Sequence, residues 1–312
     1  MIKNNILETI GNTPIIDLSR IVKKHNLQGK IFAKIEFYSP GMSKKDRIAL
    51  YRIETAEKDG TLKKGQTVIE ATSGNTGIGL AAVCAIKGYP FVAVMSEGNS
   101  VERVMMIRQF GAKVVLVAQG AGATKGKVSQ EDLKLVDAEY QRLAKELNAF
   151  KVDQFYTDHN LWAHYHTTAK EILNDLPDID AFADYVGTGG SFEGIAKRLK
   201  EHNKKIKCFI VEPAEQQHVI QGGGYFHKVP FADAANCDGK LKVKGDDALF
   251  WMNELLTVEA IAGGISSGAN LAACVKYLKK NPGKSIVFLV NDPAIKYLSA
   301  PCVQKLGADF KK

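Results

Sequence analysis

Short apolar runs alternate with amphipathic stretches along most of this chain. The β-rich run Ile31 to Tyr38 is stopped by Ser39-Pro40-Gly41, and a helical pattern from Arg47 to Glu57 follows. Thr67 to Ala71, Phe91 to Met95 and Val114 to Val117 read as strands. Between them, Gly77 to Ile86 and Val101 to Phe110 read as helices, the second ended by Gly111. Ser129-Gln130-Glu131-Asp132 has the form of a capping box and opens a helix to about Leu147. After Lys151 the alternation resumes with a helix over Trp162 to Leu173, strand Ala181 to Val186, helix Glu193 to Glu201 and strand Cys208 to Glu212. A helix over Asp247 to Leu255, a second from a glycine-serine turn to about Lys280, and strand Ser285 to Val290 complete the pattern. Residues 120–127 and 221–230 read as loops. Strands separated by helices predict parallel sheets covered on both faces. The expected fold is α/β: two three-layer lobes with mainly parallel sheets and a cleft between them.

Composition narrows the partners. With 312 residues, 45% hydrophobic and 24% charged, the chain has material for a sizeable core and roughly two domains. A net charge of +8 raises nucleic acid or an anionic ligand as partners. The lysines, however, are scattered over predicted helix surfaces with no aromatic residues interleaved as stacking platforms, so no nucleic-acid partner is expected. No basic start is followed by an apolar segment, and no run is long enough to span a bilayer. The expectation is no membrane association and a cytoplasmic location. The five cysteines, Cys84, Cys208, Cys237, Cys274 and Cys302, are odd in number and form no CxxC pair, against both structural zinc and a disulfide framework. Cys84 and Cys274 fall in alanine-rich helical patterns and read as small apolar residues.

The candidate chemistry lies at strand-to-helix junctions. Thr72-Ser73-Gly74-Asn75-Thr76-Gly77, Gly187-Thr188-Gly189-Gly190-Ser191 and Gly263-Gly264-Ile265-Ser266-Ser267-Gly268 are three small-residue turns, each opening a helix. A helix N-terminus presents unpaired N–H groups and suits a carboxylate or phosphate. The Gly187 turn lacks the lysine of a Walker A loop and the GxGxxG spacing of a dinucleotide fold. It reads either as a phosphate cup or as a tight packing turn. Lys45, in Ser43-Lys44-Lys45-Asp46-Arg47, would by itself be a surface lysine, and Lys44 is expected to be solvated. Together with the three turns, Lys45 points to pyridoxal phosphate: an amine for the aldehyde and a glycine cup for the phosphate. His159, His164 and His166 suggest a metal cluster, but a separation of two puts His164 and His166 on different helix faces, so no metal site is expected.

These motifs, spread over almost the whole chain, resemble the cysteine synthase family of pyridoxal-phosphate enzymes, which includes the cores of cystathionine β-synthases. Asn5 to Pro14 is similar to the family's opening segment. Ser43 to Arg47 matches S-x-K-D-R, which implies that Lys45 is the Schiff-base lysine and the catalytic base. Thr72 to Gly77 matches T-S-G-N-T-G, implying that Thr72, Ser73, Gly74 and Thr76 bind the substrate carboxylate and that Asn75 meets the ring 3′-oxygen. Asp153-Gln154-Phe155 matches D-Q-F, with Gln154 a further carboxylate contact. Gly187, Thr188, Gly189, Gly190 and Ser191 match the phosphate cup, with serine in place of the usual threonine. Ser266 matches the partner of the pyridine nitrogen. The resemblance further implies a fold like that of the tryptophan synthase β-subunit and a homodimer. It also implies a smaller mobile lobe over residues 40–150, with a larger cofactor-binding lobe from 1–39 plus 151–312.

Three departures fall where the substrate or ring edge is expected: Met42 for a glycine, Tyr225 in Gly222-Gly223-Gly224-Tyr225-Phe226-His227, and Asp292 for a serine. Tyr225 and His227 read equally as the site mouth, with Tyr225 a substrate contact, or as loop closure. Asp233 and Asp238 could serve as a base for water or thiol, or as solvated loop carboxylates. The implied reaction is β-replacement, forming L-cysteine from O-acetyl-L-serine and sulfide. The alternatives are release of sulfide from L-cysteine with addition of water or a thiol, dehydratase-type β-elimination, and a non-catalytic cofactor-binding protein, against which Lys45 and Asn75 argue.

Overall fold

In the computed structural model, which describes residues 2–120, 128–215, 218–223, 231 and 233–308, the alternating pattern becomes two sheets. The strands in chain order are β1 (Ile15–Asp17), β2 (Lys30–Ile35), β3 (Val68–Ala71), β4 (Phe91–Ser96) and β5 (Lys113–Val117). They continue with β6 (Phe150–Lys151), β7 (Ala181–Tyr185), β8 (Lys207–Pro213), β9 (Gly239–Val243) and β10 (Ser285–Val290). One sheet has the order β1-β2-β10-β7-β8-β9 and is parallel except for β1, which runs against β2. The other has the order β5-β4-β3-β6 and is parallel throughout.

The unbroken apolar runs follow from burial on both faces. Side chains alternate along a strand, and in β10 Ile286, Phe288 and Val290 enter one core while Val287 and Leu289 enter another. The smaller sheet repeats this, with Phe91, Ala93 and Met95 of β4 in one core and Val92 and Val94 in a second. Each sheet is therefore the middle of three layers, as the α/β reading expected.

Helices cover these faces, and the Ser129 capping box is formed as expected. Two boundaries are corrected. The β-rich run Ile31 to Tyr38 is a strand only to Ile35, and Glu36–Tyr38 wind into a 3-10 turn. The single helix expected over Trp162 to Leu173 is two, His159–His166 and Thr168–Asp175. They break at Thr167, whose hydroxyl donates to the Ala163 carbonyl at 2.6 Å and competes with the helical ladder. Three strands had no clear apolar signal, among them β6, which is two residues long. β1 is three residues long, and the sheet-edge strand β9 alternates exposed lysines with partly buried residues. Among the described residues no helix is long and apolar enough to cross a membrane.

Candidate active site

β2, β10 and β7 are neighbours, and in a parallel sheet their carboxyl ends lie at one edge, where α/β proteins place ligands. From that edge leave the chain to Lys45, the Asn291-Asp292 pair and the Gly187 turn. β3 of the smaller sheet delivers the Thr72 turn. A cleft results, lined by Lys44, Lys45, Asn75, Gly187, Thr188, Gly189, Ser191 and Ser266, among others.

Lys45 opens the helix Lys45–Lys58, and the next two residues fix that helix in place. Asp46 is buried and accepts the Gly41 N–H at 2.6 Å; burial pushes its carboxyl up. Arg47 donates to Glu36 at 2.7 and 2.9 Å and to Glu171 at 2.6 and 2.8 Å, a bidentate pattern on each carboxylate. Burial above all, then the neighbouring Lys44 charge, pushes the Lys45 amine down to about 8. Lys44 corrects the sequence reading. It is buried, and its ammonium donates to both oxygens of Asp184, at 2.8 and 2.7 Å.

The Thr72 turn is wound around one hydroxyl. Thr72 Oγ1 accepts the N–H of Gly74 at 3.0 Å and of Gly77 at 3.2 Å, which leaves its own proton to donate. Gly74, at φ 138°, caps the helix Asn75–Lys87, and a Cβ there would lie 2.4 Å from Arg103 Cδ, so only glycine fits. Thr76 donates to Gln154 Oε1 at 2.7 Å, so the two expected carboxylate contacts are joined to each other. Ser73 is exposed. The amide of Asn75 is oriented from both ends: its Nδ2 donates to Asp292 at 2.7 Å and its Oδ1 accepts from Lys296 at 2.8 Å. Lys296 also donates to the carbonyls of Gly41 and Met42, at 2.7 and 3.0 Å, and burial pushes its amine down.

At the Gly187 turn both readings of the sequence have substance. A Cβ on Gly187 would lie 2.7 Å from the Gly222 carbonyl oxygen, and one on Gly190 would lie 2.3 Å from Asn160, so the turn packs tightly. It also leaves the helix Gly190–His202 without a side-chain cap, with Gly189 in the left-handed region at φ 89°. Thr188 Oγ1 accepts from Asn160 at 2.8 Å and keeps its proton. Ser266, in the first turn of the helix Ile265–Lys280, accepts from Asn291 at 3.0 Å and likewise keeps its proton. The donor set fits pyridoxal phosphate: an amine of lowered basicity, a side-chain amide, an uncharged hydroxyl and an uncapped helix start share one cleft.

Several positioning residues carried no motif signal. Glu70, on β3, is buried and accepts the Asp153 N–H at 2.9 Å; burial, then the Asp153 charge, pushes its carboxyl up to about 8. It thereby joins the Thr72 turn to the Gln154 segment. Asp238 is bound to Lys200, Lys207 and the Cys208 N–H, which is a structural role. Asp233 is exposed and donates its N–H to Glu193. His164 is fully buried and within 2.9 Å of Thr168 Oγ1, while His159 and His166 flank Tyr51. Among the described residues no group of three potential metal ligands is assembled. Tyr225 and His227 lie outside the described residues.

Fold and cleft together define an enzyme of the pyridoxal-phosphate class. The sequence pattern of the pyridoxal-phosphate dependent enzymes matches residues 6–292. A cysteine synthase of Staphylococcus aureus is 37% identical over 311 residues, 96% of each chain. A hydrogen sulfide-producing enzyme of Fusobacterium nucleatum superposes with a TM-score of 0.88 at 40% identity, over 96% of this chain and 99% of that one. O-acetyl serine sulfhydrylase isoform 3 of Entamoeba histolytica has the same TM-score at 35% identity, over 97% and 92%. The chain belongs to the pyridoxal-phosphate dependent enzyme family and, within it, to the cysteine synthase family.

Proposed function

We propose that this protein forms L-cysteine from O-acetyl-L-serine and sulfide by β-replacement. The observation that carries the reading is the convergence of Lys45, Asn75, the glycine turn and Ser266 on one cleft. Bound there, pyridoxal phosphate withdraws electrons from the substrate Cα and so acidifies its proton. Lys45, with its amine held near 8, is suited to hold the cofactor and then to take that proton at neutral pH. Thr72 donates to the substrate carboxylate, with Ser73, Gly74, Thr76 and Gln154 completing that pocket. Asn75 takes the ring oxygen, its orientation set by Asp292 and Lys296. Gly187 to Ser191 would hold the phosphate through the turn's backbone N–H groups and the Thr188 hydroxyl, the Ser191 hydroxyl being turned to Asp184. Ser266 would meet the ring nitrogen as a neutral hydroxyl, which would moderate electron withdrawal and favour loss of a β-substituent over transamination. A smaller lobe over residues 40–150 that closes on the substrate, a homodimer and a cytoplasmic location belong to the same proposal.

The decisive experiment mixes purified protein with O-acetyl-L-serine and sulfide and measures L-cysteine. No product above a Lys45→Ala control would sink the reading. A second reading draws on Asp292, bonded to Asn75 where the resembled family motif reads serine, and on the likeness to the Fusobacterium enzyme. There L-cysteine is the substrate, sulfide leaves, and water, cysteine or homocysteine adds. Sulfide release from L-cysteine distinguishes the two.

A further inference from the structure

Beneath the phosphate cup lies a charge pair that the glycine pattern does not announce. Lys44 lines the cleft together with Thr188, Gly189 and Ser191. Its ammonium donates to both oxygens of Asp184, and the remaining approach, to the Tyr185 carbonyl, is 3.5 Å long. Asp184 is fully buried and also accepts the hydroxyl of Ser191, at 2.6 Å.

That last contact changes what the cup can offer. A serine hydroxyl has one proton, and the proton of Ser191 is committed to Asp184. Toward the cleft Ser191 then presents lone pairs, with a carboxylate behind them. Both disfavour a phosphate that carries close to two negative charges. The start of the Gly190 helix contributes only about half a positive charge. Lys44 is the full positive charge beside this cup that directly offsets the carboxylate, and in a site screened from water its sign matters more than at the surface.

We propose that Lys44 is the cation of the cofactor-phosphate subsite, anchored by Asp184, which in turn limits how much of that charge the phosphate feels. The inference rests on the pyridoxal-phosphate reading and concerns a residue that neither bonds the cofactor aldehyde nor takes the proton itself. A purely structural role for the pair makes a different prediction: loss of either partner would weaken every ligand of the cleft alike.

The test compares pyridoxal phosphate with pyridoxal, which lacks the phosphate. Full-length protein is freed of cofactor with a primary amine and titrated with each compound by absorbance. If the unmodified protein binds neither, the cofactor reading itself fails. If it binds both, Lys44→Met should weaken pyridoxal phosphate at least about tenfold more than it weakens pyridoxal, the size of one charge-assisted hydrogen bond. The variant also removes a charge that lowers the Lys45 amine, which touches both compounds alike. Asp184→Asn should tighten pyridoxal phosphate relative to pyridoxal, and the double variant should recover most of the loss in that ratio. Equal weakening of both compounds by Lys44→Met overturns the proposal. Where that variant does not fold, Asp184→Asn decides: pyridoxal phosphate that gains nothing over pyridoxal, compared with the unmodified protein, overturns it.

Discussion

Lys45 and Glu70 are two groups whose behaviour near neutral pH comes from burial. At a pKa near 8, about a tenth of Lys45 is the free amine at pH 7, against a few parts in ten thousand at its ordinary value. Pulse acetylation of cofactor-free protein, read at Lys45 by mass spectrometry, should therefore reach half-maximum near pH 8; a midpoint near 10 would contradict the geometry. Glu70 acts on stability. The folded protein holds its proton more tightly than the unfolded chain does, so stability is greatest below the ordinary carboxylate pKa and falls as pH rises toward 8. The loss amounts to a few kcal/mol at most, by roughly 1.4 kcal/mol per unit. Glu70→Gln keeps the acceptor and removes the titration, so its urea midpoint should fall less than the parent's between about pH 5.5 and about pH 8.5. That Lys45 and Asn75 would share a cleft was legible because both sit inside short motifs at strand-to-helix junctions. Lys44 was misread because adjacent lysines usually share a solvated face, and its partner lies 140 residues away on a strand whose place in the sheet is not written locally. Lys296, 221 residues from the amide it orients, was missed for the same reason.

At the level of elements, close packing overrides propensity. In a helix interior alanine normally gains about 1 kcal/mol over glycine. A Cβ on Gly194 would lie 2.2 Å from the Leu161 carbonyl oxygen, where the helices Gly190–His202 and His159–His166 cross. Gly194→Ala should therefore destabilise the protein, by about 1–3 kcal/mol as for other overpacked sites, measured by urea denaturation. Equal or greater stability would mean that the crossing relaxes freely. Most strands and helices were legible from periodicity, because burial on two faces or one writes a continuous or a 3.6-residue pattern. The Thr167 break was not, since a threonine inside a helical pattern reveals its back-bond only through geometry.

Across the whole molecule, side chains stitch the two sheets' layers together around the cleft. The helix Val101–Gln109 packs on the smaller sheet's core, and its Glu102 accepts the N–H and hydroxyl of Ser299 at 2.6 and 2.7 Å. Arg103 reaches Gln221 and Ser100, and Ser100 donates to the Lys296 carbonyl at 3.0 Å. Glu102→Ala should raise amide exchange in residues 294–299 about tenfold, the cost of one such bond. Global melting should move by no more than about 4 °C; protection that stays unchanged would show the stitch to be redundant. The α/β class was legible from alternation alone, whereas the sheet order was not, because β2 and β10 pair across almost the entire sequence. That pairing bears on how the protein is made. On the ribosome the four strands of the smaller sheet have all emerged once residue 151 is clear, but β2 waits for β10, at residues 285–290, before the larger sheet can close. At roughly 5–20 residues per second that wait lasts about ten seconds or more. Nascent β2 spends all of it, and β7 the part after residue 185, with the edge that β10 will pair uncovered, so chaperone occupancy should peak on chains truncated just before β10.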